Sequence, residues 1–461
     1  MDAEVLERFS VATREWFTSS FAAPTPAQLG AWKAISSGEH TLVVAPTGSG
    51  KTLSAFLWAL DRLATQPPPD RSRRCRVLYI SPLKALAVDV ERNLRVPLAG
   101  IGEAAHRLGL EPPNVRVAVR SGDTPTEERR AFAREPADIL ITTPESLFLL
   151  LTSAAREALA SIETVIIDEV HALAGTKRGA HLALSLERLD ALLAQPAQRV
   201  GLSATVRPIE EVARFLAGGR PVTQVAPPSQ KRWDLSVVVP VPDLAELGTN
   251  DSGPSQHSSI WPHVEERIVD QVAAHHATLI FVNSRRLAER LTARLNEIWL
   301  ERLEAAPVDL PEHPKQFPEH PKQFPEHPKQ FPEHPEQFPE HPKQFPELVE
   351  GSRRAPAEVM AQSAIARGAP PVLARAHHGS VSREQRQLVE AELKAGLLPA
   401  VVATSSLELG IDMGAIDLVI QVESPPSVAS GLQRVGRAGH QVGAVSRGVL
   451  YPKFRGDLVQ T

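Results

Sequence analysis

Short apolar runs alternate with amphipathic stretches along almost the whole chain, and this alternation restricts the fold more than any other feature. TLVVA (41–45), RVLYI (76–80), VRVAV (115–119), DILIT (138–142), TVIID (164–168) and VGLSAT (200–205) form a first series. TLIFV (278–282), LARAHH (373–378), AVVAT (400–404), LVIQV (418–422) and VLY (449–451) form a second. Uninterrupted apolar runs suit strands buried on both faces, and helical crossovers between them suit a parallel sheet. Leu182, Leu186, Leu189 and Leu193 recur at helical spacing after His181, which marks a core-facing stripe rather than a site. The expected fold is α/β, with two tandem domains over 1–220 and 261–461. The Pro- and Ser-rich stretch 221–260 is expected to link them.

The second series is broken by a repeat. From Pro311 to Phe345 the heptapeptide PEHPKQF recurs, with one copy reading PEHPEQF, and this block holds many of the 41 prolines. A period of seven suggests a coiled coil, but interior prolines remove helix hydrogen bonds and clash with the preceding turn at about 3 kcal/mol each. Residues 311–346 are therefore expected to be an extended or disordered insert, with the ordinary role of a linker.

Composition narrows the function classes. Lys+Arg 50 against Asp+Glu 54 gives a net charge of -4, so the chain is no polybasic binder. Its single cysteine, Cys75, excludes a disulfide scaffold and a thiolate zinc cluster. Asp2, Glu4 and Glu7 stand where a signal peptide needs positive charge, and no apolar run approaches a membrane span. A cytoplasmic protein with no membrane partner is the expectation.

The strongest local signal is APTGSGKT, Ala45–Pro46–Thr47–Gly48–Ser49–Gly50–Lys51–Thr52, between an apolar strand and a helix. Glycines let backbone N–H groups curl round a phosphate, and the helix N-terminus adds a favourable dipole. In this reading Lys51 reaches the β/γ-phosphates of ATP and Thr52 ligates Mg²⁺; a plain strand-turn-helix is the alternative. A phosphate loop needs a carboxylate on a neighbouring strand, and DEVH ends the run TVII. Asp168 would hold Mg²⁺ and Glu169 would orient and deprotonate the attacking water. By itself the Asp-Glu pair reads equally as a solvated turn.

The ordered set APTGSGKT, SPLKALAVD (81–89), TTPESL (142–147), DEVH, SAT (203–205), FVNSRR (281–286), ATSSLELGID (403–412) and QRVGRAGH (433–440) resembles the motif series of superfamily 2 helicases. DEVHALAGTKRGAHLALSLERL, SSLELGID and GRAGH are similar to the large helicase-related (Lhr) family of bacterial and archaeal DNA helicases. The resemblance covers nearly the whole chain apart from the insert. It implies two RecA-like domains with ATP between them and one nucleic-acid strand crossing both. It further implies Arg437 as arginine finger, a role typically worth about 10³–10⁵ in rate. Arg434 would be a supporting γ-phosphate or motif-coupling contact, and Gln28 a reader of the adenine edge, although Gln28 also reads as a helix-start residue. Gly410 and Asp412 would touch ribose or γ-phosphate. Ser203, Thr205 and His171 would relay the nucleotide state. His440 replaces a second arginine found in many relatives outside this family.

The nucleic-acid track is expected at strand C-terminal ends, where hydroxyls, amides and helix N-termini meet phosphates without reading sequence. Ser81, Lys84, Thr142, Thr143, Asn283, Ser284 and Thr404 are the candidates. RSRRCR (71–76) reads as a solvated loop, and HHGS (377–380) is poor zinc geometry.

The expected function is an ATP-dependent helicase or translocase on single-stranded DNA, 3′ to 5′ by resemblance. It would unwind DNA or RNA:DNA duplexes, and DNA repair is the setting the resemblance implies. One rival is an RNA-directed remodelling ATPase. The other is a truncated nucleotide-dependent binding module, because QRVGRAGH ends at His440, close to Thr461, where relatives continue into further domains.

Overall fold

The computed structural model describes residues 2–46, 48–66, 70–204, 206–228, 231–241, 259–305, 372–408, 414–439 and 444–461. The insert 311–346, Thr47, Thr205, Gly410, Asp412 and His440 lie outside the described residues. The chain divides into two units, residues 1–295 with 373–461, and residues 296–372. The second contributes the C-terminal part of the helix Arg285–Ala305 to the described structure.

The larger unit carries two parallel sheets. The first contains β1 (Thr41–Val44), β2 (Val77–Ile80), β3 (Val117–Arg120), β4 (Ile139–Thr142), β5 (Thr164–Ile167), β6 (Gln198–Ser203) and β7 (Thr223–Val225). Their spatial order is β3-β4-β2-β5-β6-β1-β7. The second contains β8 (Arg232–Val237), β9 (Thr278–Phe281), β10 (Ala374–His377), β11 (Ala400–Ala403), β12 (Leu418–Val422) and β13 (Val445–Tyr451), in the order β10-β11-β9-β12-β13-β8. β1, β2, β4, β9, β11 and β12 are buried at every residue, as strands covered on both faces must be. β3 and β8 are less buried because each is an edge. Leu182, Leu186 and Leu189 are fully enclosed on the helix Lys177–Asp190; Leu193 lies past its end, partly buried.

One expectation is corrected. The stretch 221–260, read as a linker, holds β7, which closes the first sheet against β1, and β8, which pairs with β13 in the second. Its prolines flank these strands instead of interrupting them, which is where edge strands tolerate proline.

Strand order fixes the site. β6 lies between β1 and β5, so the loops leaving β1 and β5 meet over the C-terminal end of β6. Ala45 N–H donates to Ser203 O at 3.1 Å, and Val170 N–H donates to Leu202 O at 2.9 Å. The crevice outside strand C-termini at such a crossing is the usual ligand position of a parallel sheet.

Candidate nucleotide site and nucleic-acid face

The turn after β1 is built around left-handed glycines, Gly48 at φ +82° and Gly50 at φ +76°. Gly50 caps the helix Lys51–Thr65 with no side-chain hydrogen bond, so the first N–H groups of that helix have no side-chain cap. A Cβ at Gly50 would stand 2.5 Å from Gln28 Nε2 and push that amide away, and φ +76° itself favours glycine. Lys51 is 9 % exposed, and its ammonium lies 3.4 Å from Ser203 O. Thr52, the next residue, is half-buried.

Gln28 is the third residue of the helix Pro26–Ser36. Its Oε1 accepts from Thr25 N–H at 2.9 Å while Thr25 Oγ1 accepts from Gln28 N–H, a reciprocal capping box. The same Thr25 hydroxyl donates to Ser49 O at 2.9 Å. Gln28 is thus the helix-start residue that its sequence context allowed, and it also packs its amide nitrogen against the phosphate loop.

Asp168 and Glu169 follow β5 and are 6 % and 5 % exposed. Asp168 Oδ1 accepts from Glu169 N–H at 2.9 Å, and Oδ2 accepts from the Tyr79 hydroxyl. Burial, helped by the charge of Glu169, pushes the Asp168 carboxyl up to about 7, against the pull of Tyr79 and Lys51. Glu169 holds φ +44°, an unfavourable backbone for a residue with a Cβ. Its Oε2 is buried and accepts no hydrogen bond among the described residues; His171 Nδ1 stands 3.6 Å away. An acceptor left open in a buried site suits a water molecule. The Thr52 hydroxyl and the Asp168 carboxylate are both oxygen donors, the kind that Mg²⁺ takes.

His171 connects this region to the second sheet. Ala204 N–H donates to its Nδ1 at 3.3 Å, which leaves the ring proton on Nε2, a donor that the Gln433 side chain can accept only when its amide is turned to present Oε1. Ser203 Oγ lies 3.1 Å from Nδ1. Burial holds the imidazole below its ordinary value, so it is neutral near pH 7.

Two arginines on one motif have different surroundings. Arg434, 2 % exposed, is consumed by its own sheet: Nε donates to Glu408 Oε2 at 2.9 Å, and Nη1 donates to Asn283 Oδ1 at 3.0 Å and Gln421 Oε1 at 2.9 Å. Its guanidinium lies over Phe281, 5.4 Å from the ring centre. Of its two expected roles, the γ-phosphate contact does not fit this enclosure and the motif-coupling contact does. Arg437, past the end of the helix Val428–Val435, donates to Glu408 O at 2.8 Å. Glu408 therefore anchors both arginines, Arg434 by its side chain and Arg437 by its carbonyl.

The expected nucleic-acid track is corrected in part. Ser81 and Thr142 have no exposed surface, and Thr143 is 3 % exposed. Ser81 Oγ donates to Leu83 O, Thr142 Oγ1 to Arg120 O on β3, and Thr143 Oγ1 to Ser146 Oγ. These hydroxyls brace loops and cannot also reach a strand; backbone amides remain, since the helices Lys84–Arg107 and Pro144–Leu151 begin without side-chain caps. Lys84, Asn283 and Ser284 are exposed and Thr404 is half-buried. Lys84 pairs with Asp123 at 2.6 Å, and the Asn283 amide is shared between Arg434 and Ser424 O.

In the 71–76 run, Arg74 pairs with Asp138 and Arg76 is buried against Gln66, so only the turn Arg71–Arg73 is solvated. His377 is bound by Glu390 and Ser406, and His378 by Glu289. Tyr79, Gln433, Glu408 and Arg178 escaped sequence reasoning. Arg178 ties two loops of the track together through Pro82 O at 3.0 Å and Glu145 at 2.6 Å. Tyr79 and Gln433 sit inside quoted motifs or next to them, but nothing in their residue type marks a partner far away in sequence. No helix among the described residues is long and apolar enough to cross a membrane.

Two family models match: DEAD/DEAH box helicase over residues 25–213 and Helicase conserved C-terminal domain over 352–441. The chain is 63 % identical over 99 % of its length to the Lhr helicase/probable uracil glycosylase of Mycolicibacterium smegmatis, and spans 27 % of that protein. It is 51 % identical over 98 % of its length to the Lhr helicase/uracil glycosylase of Escherichia coli, spanning 28 % of it. The solved structure of Mycobacterium smegmatis helicase Lhr bound to ssDNA and AMP-PNP superimposes with a TM-score of 0.78 at 60 % identity, covering 99 % of this chain and 49 % of that one. On these matches the chain belongs to the Lhr family of superfamily 2 helicases.

Proposed function

We propose that this chain is a nucleic-acid-stimulated ATPase that translocates on single-stranded DNA, with two RecA-like motor domains. The observation that carries the reading is the juxtaposition of Lys51, Asp168 and Glu169 with the Arg434–Arg437 motif, joined through the His171–Gln433 contact. In this reading the amides around Gly48–Gly50 and the Lys51 ammonium hold the β- and γ-phosphates. Glu169 Oε2 orients the attacking water and takes its proton, and Arg437 meets the charge that develops on the γ-phosphoryl oxygens. Mg²⁺, when bound by Thr52 and Asp168, supplies neutralising charge for the phosphates. Gln28 would read the adenine edge with its amide nitrogen, and Gly410 and Asp412 would touch ribose or γ-phosphate.

Coupling follows from the contacts. His171, neutral and held between Ser203 and Gln433, registers any movement of the acidic pair on both sheets, with Thr205 in the same relay. Lys84, Asn283, Ser284, Thr404 and the uncapped helix starts would grip a sugar-phosphate backbone in alternation as the domains close and open. The relative solved with ssDNA supports DNA as the strand. A 3′ to 5′ direction, DNA or RNA:DNA duplexes and a repair setting complete the proposal.

Steady-state phosphate release is expected to be low in the wild-type chain and to rise severalfold when single-stranded DNA is added. Turnover indifferent to DNA would sink the reading; stronger activation by RNA of the same sequence would favour an RNA-directed ATPase. ATPase without displacement of an annealed strand would mark a binding module.

Tyr79 gives a finer test. Tyr79→Phe removes only the hydroxyl that Asp168 accepts and keeps the ring stacked on Phe56 at 5.0 Å. A hydrogen bond to a charged group is worth about 1.5–3 kcal/mol, so the Mg²⁺ concentration for half-maximal turnover should rise about tenfold or more.

A further inference from the structure

Lys231 stands immediately before β8, in the segment that leads from the first sheet into the second, and the mechanism above does not use it. Its ammonium donates to Gly436 O at 2.8 Å and lies 5.3 Å from the centre of the Trp233 ring. Gly436 caps the helix Val428–Val435 and immediately precedes Arg437. A Cβ at Gly436 would stand 2.7 Å from Leu432 O and 3.4 Å from Lys231 Nζ, so glycine keeps this approach open.

A line of contacts runs from here to the phosphate loop. Gln433 on the same helix meets His171; His171 lies 3.1 Å from Ser203 Oγ; and Ser203 O lies 3.4 Å from Lys51 Nζ. Burial first, and then the charges of Arg437 and Lys51, push Lys231 down to about 8. Three cations, one from each sheet and one from the segment between, therefore oppose one another across a small region. A multiply charged anion that enters this region can make a charge-assisted hydrogen bond to each of the three.

This inference rests on reading the region as an ATP site. We propose that Lys231 is a phosphate-binding residue of that site, contacting the terminal phosphate of a nucleoside triphosphate next to Arg437. A diphosphate lacks that group, so Lys231 distinguishes the two nucleotides and passes the distinction to the segment joining the sheets.

The test compares the wild-type chain with Lys231→Met, Lys231→Gln and Lys231→Arg, using fluorescent methylanthraniloyl AMP-PNP and ADP with Mg²⁺. Lys231→Gln keeps a donor for Gly436 O but no charge, and so separates the structural bond from the electrostatic role. For Lys231→Met and Lys231→Gln the Kd for AMP-PNP should rise about tenfold or more, and that for ADP should stay within about twofold. Lys231→Arg should remain within about threefold of wild type for both. Unchanged AMP-PNP affinity in Lys231→Gln, or an equal loss for both nucleotides, overturns the proposal while leaving the ATPase reading intact. A wild-type chain that binds no AMP-PNP overturns that reading and this proposal together.

Discussion

Glu169→Gln should lower ATP turnover by about 10²–10⁴ while leaving AMP-PNP binding close to wild type, because the change removes a general base and little volume. The structural basis is the Glu169 Oε2 atom, buried and without a hydrogen bond among the described residues, on a backbone held at φ +44°. A residue kept in that conformation by its surroundings, with an acceptor left open, has a task other than stability. Lys51→Ala should differ in kind: its ammonium would contact phosphate before and during transfer, so nucleotide affinity and turnover fall together. Phosphate release in the presence of single-stranded DNA, alongside equilibrium nucleotide binding, separates the two. Full turnover in Glu169→Gln would exclude it as the base.

The second large effect concerns Arg434 and Arg437. Arg437→Ala should cut turnover by about 10³–10⁵, as expected of an arginine finger. Arg434→Ala should destabilise the second domain by about 3 kcal/mol, because it empties a buried site and leaves the half-buried carboxylate of Glu408 and the side chains of Asn283 and Gln421 without their partner. Thermal unfolding measured beside ATPase decides the assignment. Loss of activity without loss of stability in Arg434→Ala would exchange the two roles.

These arginines show how far local sequence reached. QRVGRAGH presents both, three residues apart, and no rule of composition or spacing says which one faces its own sheet. The structure does so because Arg434 lies on the helix Val428–Val435, whose inner face meets Phe281, Gln421 and Asn283, whereas Arg437 follows the helix end. The hydroxyl residues at strand ends teach the same lesson. Ser81, Thr142 and Thr143 have suitable chemistry and stand at the expected places, but their hydroxyls are taken by Leu83 O, Arg120 O and Ser146 Oγ. Gln28 was half legible, since T-P-A-Q spells a capping box, while its contact with Gly50 was not. The stretch 221–260 misled because edge strands carry prolines and polar residues and so look like linker.

The sequence by itself determined the two series of strands, the glycine-bearing turn after β1 and the acidic pair after β5. Each depends on residues close together in the chain, where steric limits on φ, helix capping and apolar periodicity act. Tertiary structure alone decided which of the candidate side chains remain available. The decisive contacts, Lys51 with Ser203, Lys231 with Gly436 and His171 with Gln433, each join residues more than a hundred positions apart. Sheet order and core packing bring those groups together, because a parallel sheet sets side by side the ends of strands that are far apart in the chain.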